Sequence, residues 1–293
     1  MLILGIDFNN MVYGSAYSSP LYNSYGQNVN AIKGFFMKFQ TLYENINPDY
    51  VLFANDLSRT NTFRRKLYPE YKSQRKPTNE DIVFQIQKTS ILVSALGFNF
   101  LNNQLYEADD ILGMVSRWCI DNGHQMIIVS TDKDLYQLIN QNVQIYSFVK
   151  KELINEEYLE EHYKLKPSQW IELKMLQGDS SDNLPGIRGI GPSTALKLFQ
   201  QFGSIKNIYN NLDKIKTGIR DKLIQGEKIL PLMRELVTVV TDYTKINFDL
   251  KQLERKAPDY QVISNAIYHL QIPTLVGIFN NLMMDFERRN QCL

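Results

Sequence analysis

A chain of 293 residues with 44% hydrophobic and 22% charged side chains is long enough to fold as one large or two small globular domains. Its net charge of +1 gives no global attraction for a polyanion, so any affinity for nucleic acid must come from local patches. Two cysteines, Cys119 and Cys292, exclude a disulfide scaffold and a cysteine-rich zinc site, and they are typical of a reducing compartment.

Strands and helices are predicted to alternate through the first half of the chain. Apolar runs predict strands at 2–6, 51–54, 98–101, 126–130 and 143–148. Helical patterns lie between them at 30–44, 79–97, 109–122 and 134–140. This alternation is typical of an open, mostly parallel α/β sheet. From about residue 152 no further strand is predicted, and the rest of the chain reads as helical.

Acidic residues follow several of these strands and crowd into three short clusters. The carboxyl ends of parallel strands open at one edge of a sheet, so we expect these side chains to meet in one crevice. Like charges gathered there repel one another unless cations lie among them, and oxygen-only ligand sets select Mg²⁺ or Mn²⁺. The sequence therefore predicts a site for two or more divalent ions. The acids are Asp7, Asp56, Glu107, Asp109, Asp110, Asp132, Asp134, Asp179 and Asp182.

The acids at 107–110 have an ordinary alternative interpretation. They directly precede an apolar, helix-length run, and a helix start favours negative charge. An acidic first turn would explain this cluster alone, but it leaves the clusters at 132–134 and 179–182 unexplained.

Residues 56–76 are basic, with seven cationic side chains against two acidic ones. Phe63, Tyr68 and Tyr71 are interleaved with the charges. Cations that follow a phosphate backbone and aromatic faces that stack on bases favour a path for single-stranded nucleic acid. A solvated, flexible loop is the alternative. The basic residues are Arg59, Arg64, Arg65, Lys66, Lys72, Arg75 and Lys76.

A tight turn is predicted where Gly189 and Gly191 bracket Ile190 and Pro192 opens a helix. The free N–H groups of such a turn can hold a phosphate without reading a base. An ordinary helix–turn–helix corner is the alternative.

Taken in order, these motifs resemble the 5′ nuclease family, which includes the 5′→3′ exonuclease domain of bacterial DNA polymerase I and stand-alone phage flap endonucleases. The resemblance covers about residues 1–245. It implies an α/β fold with a PIN-like, mostly parallel sheet flanked by helices at 1–150, and a helical arch at 57–90. A helical DNA-binding region is expected at 151–293, with a helix–three-turn–helix motif at about 183–204. The motifs are 62–75, 107–110, 130–134, 175–186 and 189–191.

The resemblance also implies an activity, a structure-specific 5′ nuclease that hydrolyses DNA phosphodiester bonds during replication or repair with Mg²⁺, or with Mn²⁺ in its place. Lys72 and Asp132 are the expected catalytic residues, with Lys72 on the scissile phosphate. The first metal cluster would comprise Asp7, Asp56, Glu107, Asp109, Asp110 and Asp132, and the second Asp134, Asp179 and Asp182. The DNA-binding residues would be Arg64, Arg65, Tyr71, Lys72, Arg75, Lys76, Gly189, Gly191, Ser193 and Lys197.

Further expectations follow from the same resemblance. Ser193 and Thr194 stand where many relatives carry Lys or Arg, so the duplex grip would rest on backbone N–H groups and Lys197. A K⁺ ion at the Gly189–Gly191 hairpin is expected, as are DNA with 5′ flaps or 5′ ends and RNA primers as partners. No polymerase region follows residue 293, and no basic leader or membrane span is evident. These features predict a free-standing, monomeric enzyme of the cytoplasm, or of the host cytoplasm if the chain is phage-encoded.

Two other functions stay open on the sequence. A phosphatase of the haloacid dehalogenase type would also place an Asp-x-Asp pair after a strand, as at 132–134, but it would leave the Gly-Ile-Gly turn unexplained. A catalytically silent binder of DNA junctions would gain nothing from nine acids near DNA.

Overall fold

The computed structural model describes residues 1–57 and 61–291; Arg59 and Cys292 lie outside these residues. Within the described chain, six strands form one sheet. Counted along the chain, their spatial order is 3-2-1-4-5-6, and all neighbours are parallel except the last pair. The strands are β1 (Leu2–Asp7), β2 (Tyr50–Ala54), β3 (Asn99–Leu101), β4 (Gln125–Val129), β5 (Val143–Ser147) and β6 (Glu152–Ile154).

Helices connect and follow these strands. None of the helices in the described residues is long and apolar enough to cross a bilayer. The α-helices are α1 (Phe8–Ala16), α2 (Asn30–Ile46), α3 (Phe63–Leu67), α4 (Glu80–Ala95), α5 (Ala108–Asp121), α6 (Glu156–Tyr163), α7 (Trp170–Gln177), α8 (Pro192–Phe202), α9 (Ile205–Asn210), α10 (Thr217–Gly226), α11 (Leu230–Val237), α12 (Tyr260–Leu270) and α13 (Pro273–Gln291). Short 3₁₀ turns include Lys133–Leu138 and Pro167–Gln169.

Alternating side chains of the strands divide between two hydrophobic cores, one on each face of the sheet. Successive residues of a strand point to opposite faces, so Ile3 belongs to the core that includes residues of α5 and α7, and Leu4 to the core that includes residues of α1, α2 and α4. Helices α12 and α13 complete the second core, where Phe279 contacts Phe36 of α2 with ring centroids 4.8 Å apart. The last two helices of the chain therefore stabilise the N-terminal sheet.

The predicted alternation of strands and helices is confirmed, with two differences in detail. A sixth strand, β6, pairs antiparallel with β5 at the sheet edge. Its three residues, two of them exposed, are too few to give a periodic signal. The predicted arch is only partly helical: α3 spans five residues, turns occupy 69–74, and α4 buries Leu92 and Val93 in the second core.

The order of the strands fixes the position of a crevice. From β1 the chain builds β2 and β3 to one side and then β4 and β5 to the other. Loops leave in opposite directions at such a switch point, which opens a crevice at the carboxyl ends of the strands. The residues that follow β1, β2 and β4 line this edge.

Candidate active site

Three of the predicted acids lie where β1, β2 and β4 end. Asp7 is the last residue of β1 and caps α1, because its carboxylate accepts a hydrogen bond from the Asn10 backbone N–H at 3.2 Å. Asp56 follows β2. Asp132 follows β4 and caps the next helical turn by accepting from the Asp134 backbone N–H at 2.8 Å. Because β2, β1 and β4 are neighbours, these carboxylates share one edge of the sheet.

Asp109 joins them from the first turn of α5. Asp56 Oδ1 accepts a hydrogen bond from the Ala108 backbone N–H at 2.7 Å, which ties the start of α5 to the end of β2. Burial, followed by the charges of Asp132 and Asp7, raises the pKa of Asp109 well above its ordinary value. We call Asp7, Asp56, Asp109 and Asp132 the four-carboxylate group.

The electrostatics of this group are unfavourable without a cation. Burial, then Asp56 and Asp132, raise the pKa of Asp7 to about 7, although the Ser130 hydroxyl donates to it at 3.0 Å. Among the described residues, no lysine or arginine forms an ion pair with the four acids. As the side chains stand in residues 1–57 and 61–291, no three acidic, histidine or cysteine groups converge as ligands of one metal ion.

Residues 68–76, which we call the arch base, close over the neighbouring acids. Lys72 Nζ lies 2.5 Å from Glu107 Oε1 and 3.7 Å from Asp182 Oδ2. Arg75 forms an ion pair with Asp182 at 2.5 Å. The Lys72 backbone, at a φ of 54° that is uncommon for a residue with a side chain, donates to the Asp182 carbonyl at 2.9 Å. The arch base is thus fastened by its cations to two predicted metal ligands.

These contacts keep Glu107 ionised. Burial alone would raise the pKa of Glu107, but Lys72 and then Arg64 outweigh it, and the pKa is lowered. Glu107 therefore differs from the four-carboxylate group, because its charge is already compensated by the arch base.

Arg64 and Asp110 form a buried ion pair with each other. The Asp110 carboxylate is fully buried, receives two hydrogen bonds from the Arg64 guanidinium, and also accepts from the backbone N–H groups of Glu107 and Val240. Arg64 further donates to the backbone carbonyls of Leu236 and Thr238. Both residues therefore form a structural clamp, and Asp110 completes an acidic helix start; the metal-ligand role of Asp110 and the DNA-binding role of Arg64 stay predictions.

Tyr71 is also buried. It is 4% exposed, and its hydroxyl donates to Glu107 Oε2 at 2.8 Å. The predicted stacking of a base on this ring would require the side chain to leave its buried position, and the DNA-binding role of Tyr71 stays a prediction. Arg75 and Lys76 are exposed and Arg65 is partly exposed, as a nucleic-acid contact would require.

A second acidic group forms between the sheet and α7. Lys174, on α7, places Nζ 2.7 Å from Asp134 Oδ1 and 2.5 Å from Asp179 Oδ2. Burial, then Asp132, raises the pKa of Asp134 to about 6, although Lys174 opposes the shift. Asp179 also accepts from the backbone and hydroxyl of Ser181, and its pKa is lowered.

The predicted second metal cluster is thus divided. Asp134 and Asp179 share the Lys174 ammonium, whereas Asp182 pairs with the arch base. Sequence reasoning missed Lys174. The only signal was a charged residue inside the apolar helix that leads into the acidic loop at 178–183, and its partners could not be read from the pattern.

The predicted glycine turn is present. Gly189 has a φ of +81°, and a side chain there would lie 2.9 Å from Lys222 Cε. Lys222 Nζ donates to the Gly189 carbonyl at 3.2 Å. Gly191 caps α8 with open space around it, and Ser193 and Lys197 are exposed on that helix.

Solved structures share this fold over nearly the whole chain. A metal-bound T5 D15 protein superposes with a TM-score of 0.64 at 19% sequence identity, covering 98% of this chain and 99% of that one. A zinc-bound T5 5′-exonuclease superposes with a TM-score of 0.66 at 18% sequence identity, covering 97% of this chain and 99% of that one. The catalytic core of Rad2 in complex with DNA substrate superposes with a TM-score of 0.60 at 18% sequence identity, covering 96% of this chain and 92% of that one.

Sequence comparisons identify the family. Residues 2–164 match the 5′-3′ exonuclease N-terminal resolvase-like domain, and residues 165–261 match the 5′-3′ exonuclease C-terminal SAM fold. The thermostable DNA polymerase I of Thermus thermophilus is 34% identical over 96% of this chain and 33% of its own length. DNA polymerase I of Deinococcus radiodurans is 34% identical over 88% of this chain and 27% of its own length. The chain spans about a third of the length of these relatives, and it belongs to the 5′-3′ exonuclease family of nucleases.

Proposed function

We propose that this nuclease is structure-specific and metal-dependent, and that it hydrolyses DNA phosphodiester bonds at 5′ ends and 5′ flaps in replication or repair. The observation that carries the proposal is the four-carboxylate group. Acids that raise one another's pKa in a crevice cost stability, and they repel DNA phosphates unless cations lie between. The metal-bound T5 structures and the DNA-bound Rad2 core support the same assignment.

The donor set fits Mg²⁺ or Mn²⁺. Every candidate ligand is a carboxylate, and hard divalent ions prefer oxygen. Burial and then the neighbouring carboxylates raise the pKa of Asp7 and of Asp109, and a divalent ion would offset the negative charge that these side chains carry when ionised. The side chains must turn toward a shared point to hold an ion, because no three now converge among the described residues.

The residues that would hold the ions fall into two sets. The four-carboxylate group would hold the first ion, joined by Glu107 once it separates from Lys72. Asp134 and Asp179 would hold the second ion, with Asp182 beside them. Bound ions of this kind activate a water molecule and stabilise the charge on the phosphate and on the leaving 3′ oxygen.

Lys72 is proposed as a catalytic residue. Its ammonium lies at the rim of the acidic site, 18% exposed, and its backbone is fixed to the Asp182 carbonyl. When a phosphate replaces Glu107 as its partner, the ammonium donates a charge-assisted hydrogen bond to the oxygen that gains charge during cleavage.

DNA binding is assigned to two surfaces. The single strand follows the cations of the arch base and α3, among them Arg65, Arg75 and Lys76. The duplex is held by the N–H groups of the glycine turn and by the start of α8, where Ser193 and Lys197 are exposed. Backbone contacts of this kind position the duplex without reading bases, so cleavage depends on the shape of the DNA and binding weakens as salt rises.

Finer points of the same proposal concern the ions and substrates. The Gly189 carbonyl, already an acceptor for Lys222, is the expected ligand of a K⁺ ion, and RNA primers are included among the substrates. The chain is proposed to act as a monomer in the cytoplasm.

A cleavage assay on a 5′-labelled flap tests the function. We expect short 5′ products with MgCl₂ or MnCl₂, none with EDTA, and much slower cleavage of a blunt duplex without a flap or nick. A phosphatase would instead release phosphate from a 5′ end and leave the strand intact, and a DNA-binding protein without activity would retard the substrate without cutting it. Either result would contradict the proposal.

A further inference from the structure

Lys174 is an ammonium buried between two carboxylates. Its side chain is 9% exposed, and Nζ is in direct contact with Asp134 on one side and Asp179 on the other. Asp134 belongs to the turn after β4, whereas Lys174 and Asp179 belong to α7 and the loop after it. At the second acidic group, the lysine therefore joins the turn after β4 to the helical region.

A divalent ion and this ammonium cannot share the same two oxygens. An ion bound to Asp134 Oδ1 and Asp179 Oδ2 at about 2.1 Å would stand where Nζ now lies. Two cations that close repel each other strongly in a partly buried site. Binding of the ion must therefore displace the lysine.

The four-carboxylate group differs from this arrangement. None of its members forms an ion pair with a lysine or arginine of residues 1–57 and 61–291, so no paired side-chain cation there has to leave before a divalent ion enters. The two acidic groups therefore differ in how readily they accept a divalent ion.

We propose that Lys174 is a positioning residue that serves as a built-in cation of the second acidic group. It keeps Asp134 and Asp179 together in the DNA-free enzyme and competes with the second divalent ion for them. The two metal sites then fill in order, the four-carboxylate group first. This inference rests on the proposed metal-dependent function.

Mn²⁺ binding to the DNA-free full chain, followed by electron paramagnetic resonance, tests the inference. Wild type should bind one ion tightly and a second at least about tenfold more weakly. Lys174→Met, which removes the charge at similar volume, should tighten the second site about tenfold or more. Lys174→Arg should keep it weak, and Lys206→Met, at an exposed lysine of α9, should match wild type. Adding Asp134→Asn to Lys174→Met should abolish the gain.

The outcomes separate the two proposals. If wild type binds no Mn²⁺, the metal-dependent function and this inference both fall. If wild type binds one ion but Lys174→Met leaves the second site unchanged or weaker, only the inference is overturned. A Lys174→Met protein that folds only with MnCl₂ supports the inference, because the ion then replaces the ammonium. A Lys174→Met protein that stays unfolded in MnCl₂, while Lys174→Arg folds, overturns the inference.

Discussion

The guanidinium of Arg64 and the carboxylate of Asp110 form a buried, two-pronged ion pair, with hydrogen bonds of 2.6 and 2.8 Å. Arg64 belongs to α3, directly before the arch base, and Asp110 to the first turn of α5. The same guanidinium donates to the backbone carbonyl of Leu236, in the last turn of α11, and to that of Thr238, directly after this helix. This pair therefore fixes the segment that carries Lys72 against the helix that carries Asp109.

Arg64→Met should destabilise the protein by about 3–5 kcal/mol, because it leaves a buried carboxylate without its partner. Chemical denaturation in EDTA measures the loss. Arg75→Met provides the comparison, because Arg75 is half exposed and its removal should cost less than about 1 kcal/mol. Equal losses for the two variants would contradict the structural role of Arg64.

Asp7→Asn should stabilise the metal-free protein at pH 8. The pKa of Asp7 is raised from 3.8 to about 7, so the folded state binds this proton more tightly than the unfolded state, and stability is lost as pH rises from about 4 to about 7. Asparagine keeps an oxygen for the Asn10 N–H and removes a penalty of up to about 4 kcal/mol.

Thermal melts at pH 5 and pH 8, in EDTA and in MgCl₂, measure this effect. Without metal, the gain should shrink to roughly a third at pH 5, because the unfolded state already ionises Asp7 above about pH 4. In MgCl₂ wild type should be the more stable protein, because only wild type then gains the full free energy of ion binding. A variant less stable than wild type at pH 8 in EDTA would disagree with the electrostatics described for Asp7.

Lys72→Met should slow flap cleavage about a hundredfold or more while changing flap affinity only a few-fold, since its ammonium acts on charge that develops during the reaction. Single-turnover kinetics separates the two effects. Lys88→Met, at an exposed lysine of α4, should cleave at the wild-type rate. A Lys72→Met enzyme with normal single-turnover cleavage would remove Lys72 from the catalytic residues.

Gly189→Ala should lower both stability and duplex affinity. An alanine at a φ of +81° costs about 1–2 kcal/mol, and its methyl group would press on the Lys222 side chain. Gly191→Ala meets open space and should leave the melting temperature within the error of the measurement. Fluorescence anisotropy with a labelled duplex would detect the loss of affinity, and equal melting temperatures for both variants would argue against a strained turn at Gly189.

The fold could be predicted largely from local pattern. Apolar runs gave the five parallel strands, and the acids at their ends followed from the rule that parallel strands open at one edge. Helix α4 was predicted, but the burial of Gln85 and Thr89 on its core face could not be, because both side chains are polar. The edge strand β6 depends on pairing with β5 rather than on its own sequence.

The sequence predicted which residue types form the candidate site, but it did not predict which side chains they contact. Asp7, Asp56 and Asp132 could be assigned to one edge of the sheet because each of them ends or closely follows a predicted strand. The burial of Arg64 and Tyr71 depends on carboxylates at least 36 positions away, and a basic, aromatic segment looks the same whether it faces DNA or its own protein. Lys174 escaped notice for the same reason, because its role depends on Asp134 across the fold.

The most direct test of the central claim is cleavage of a 5′ flap by Asp132→Asn in MgCl₂, with DNA binding measured separately. Asparagine can still cap the turn at Asp134 but removes one charge from the four-carboxylate group. We predict a loss of cleavage of about a thousandfold or more with flap affinity retained, and wild-type cleavage by Asp121→Asn, at an exposed acid of α5. Wild-type cleavage by Asp132→Asn would contradict the account.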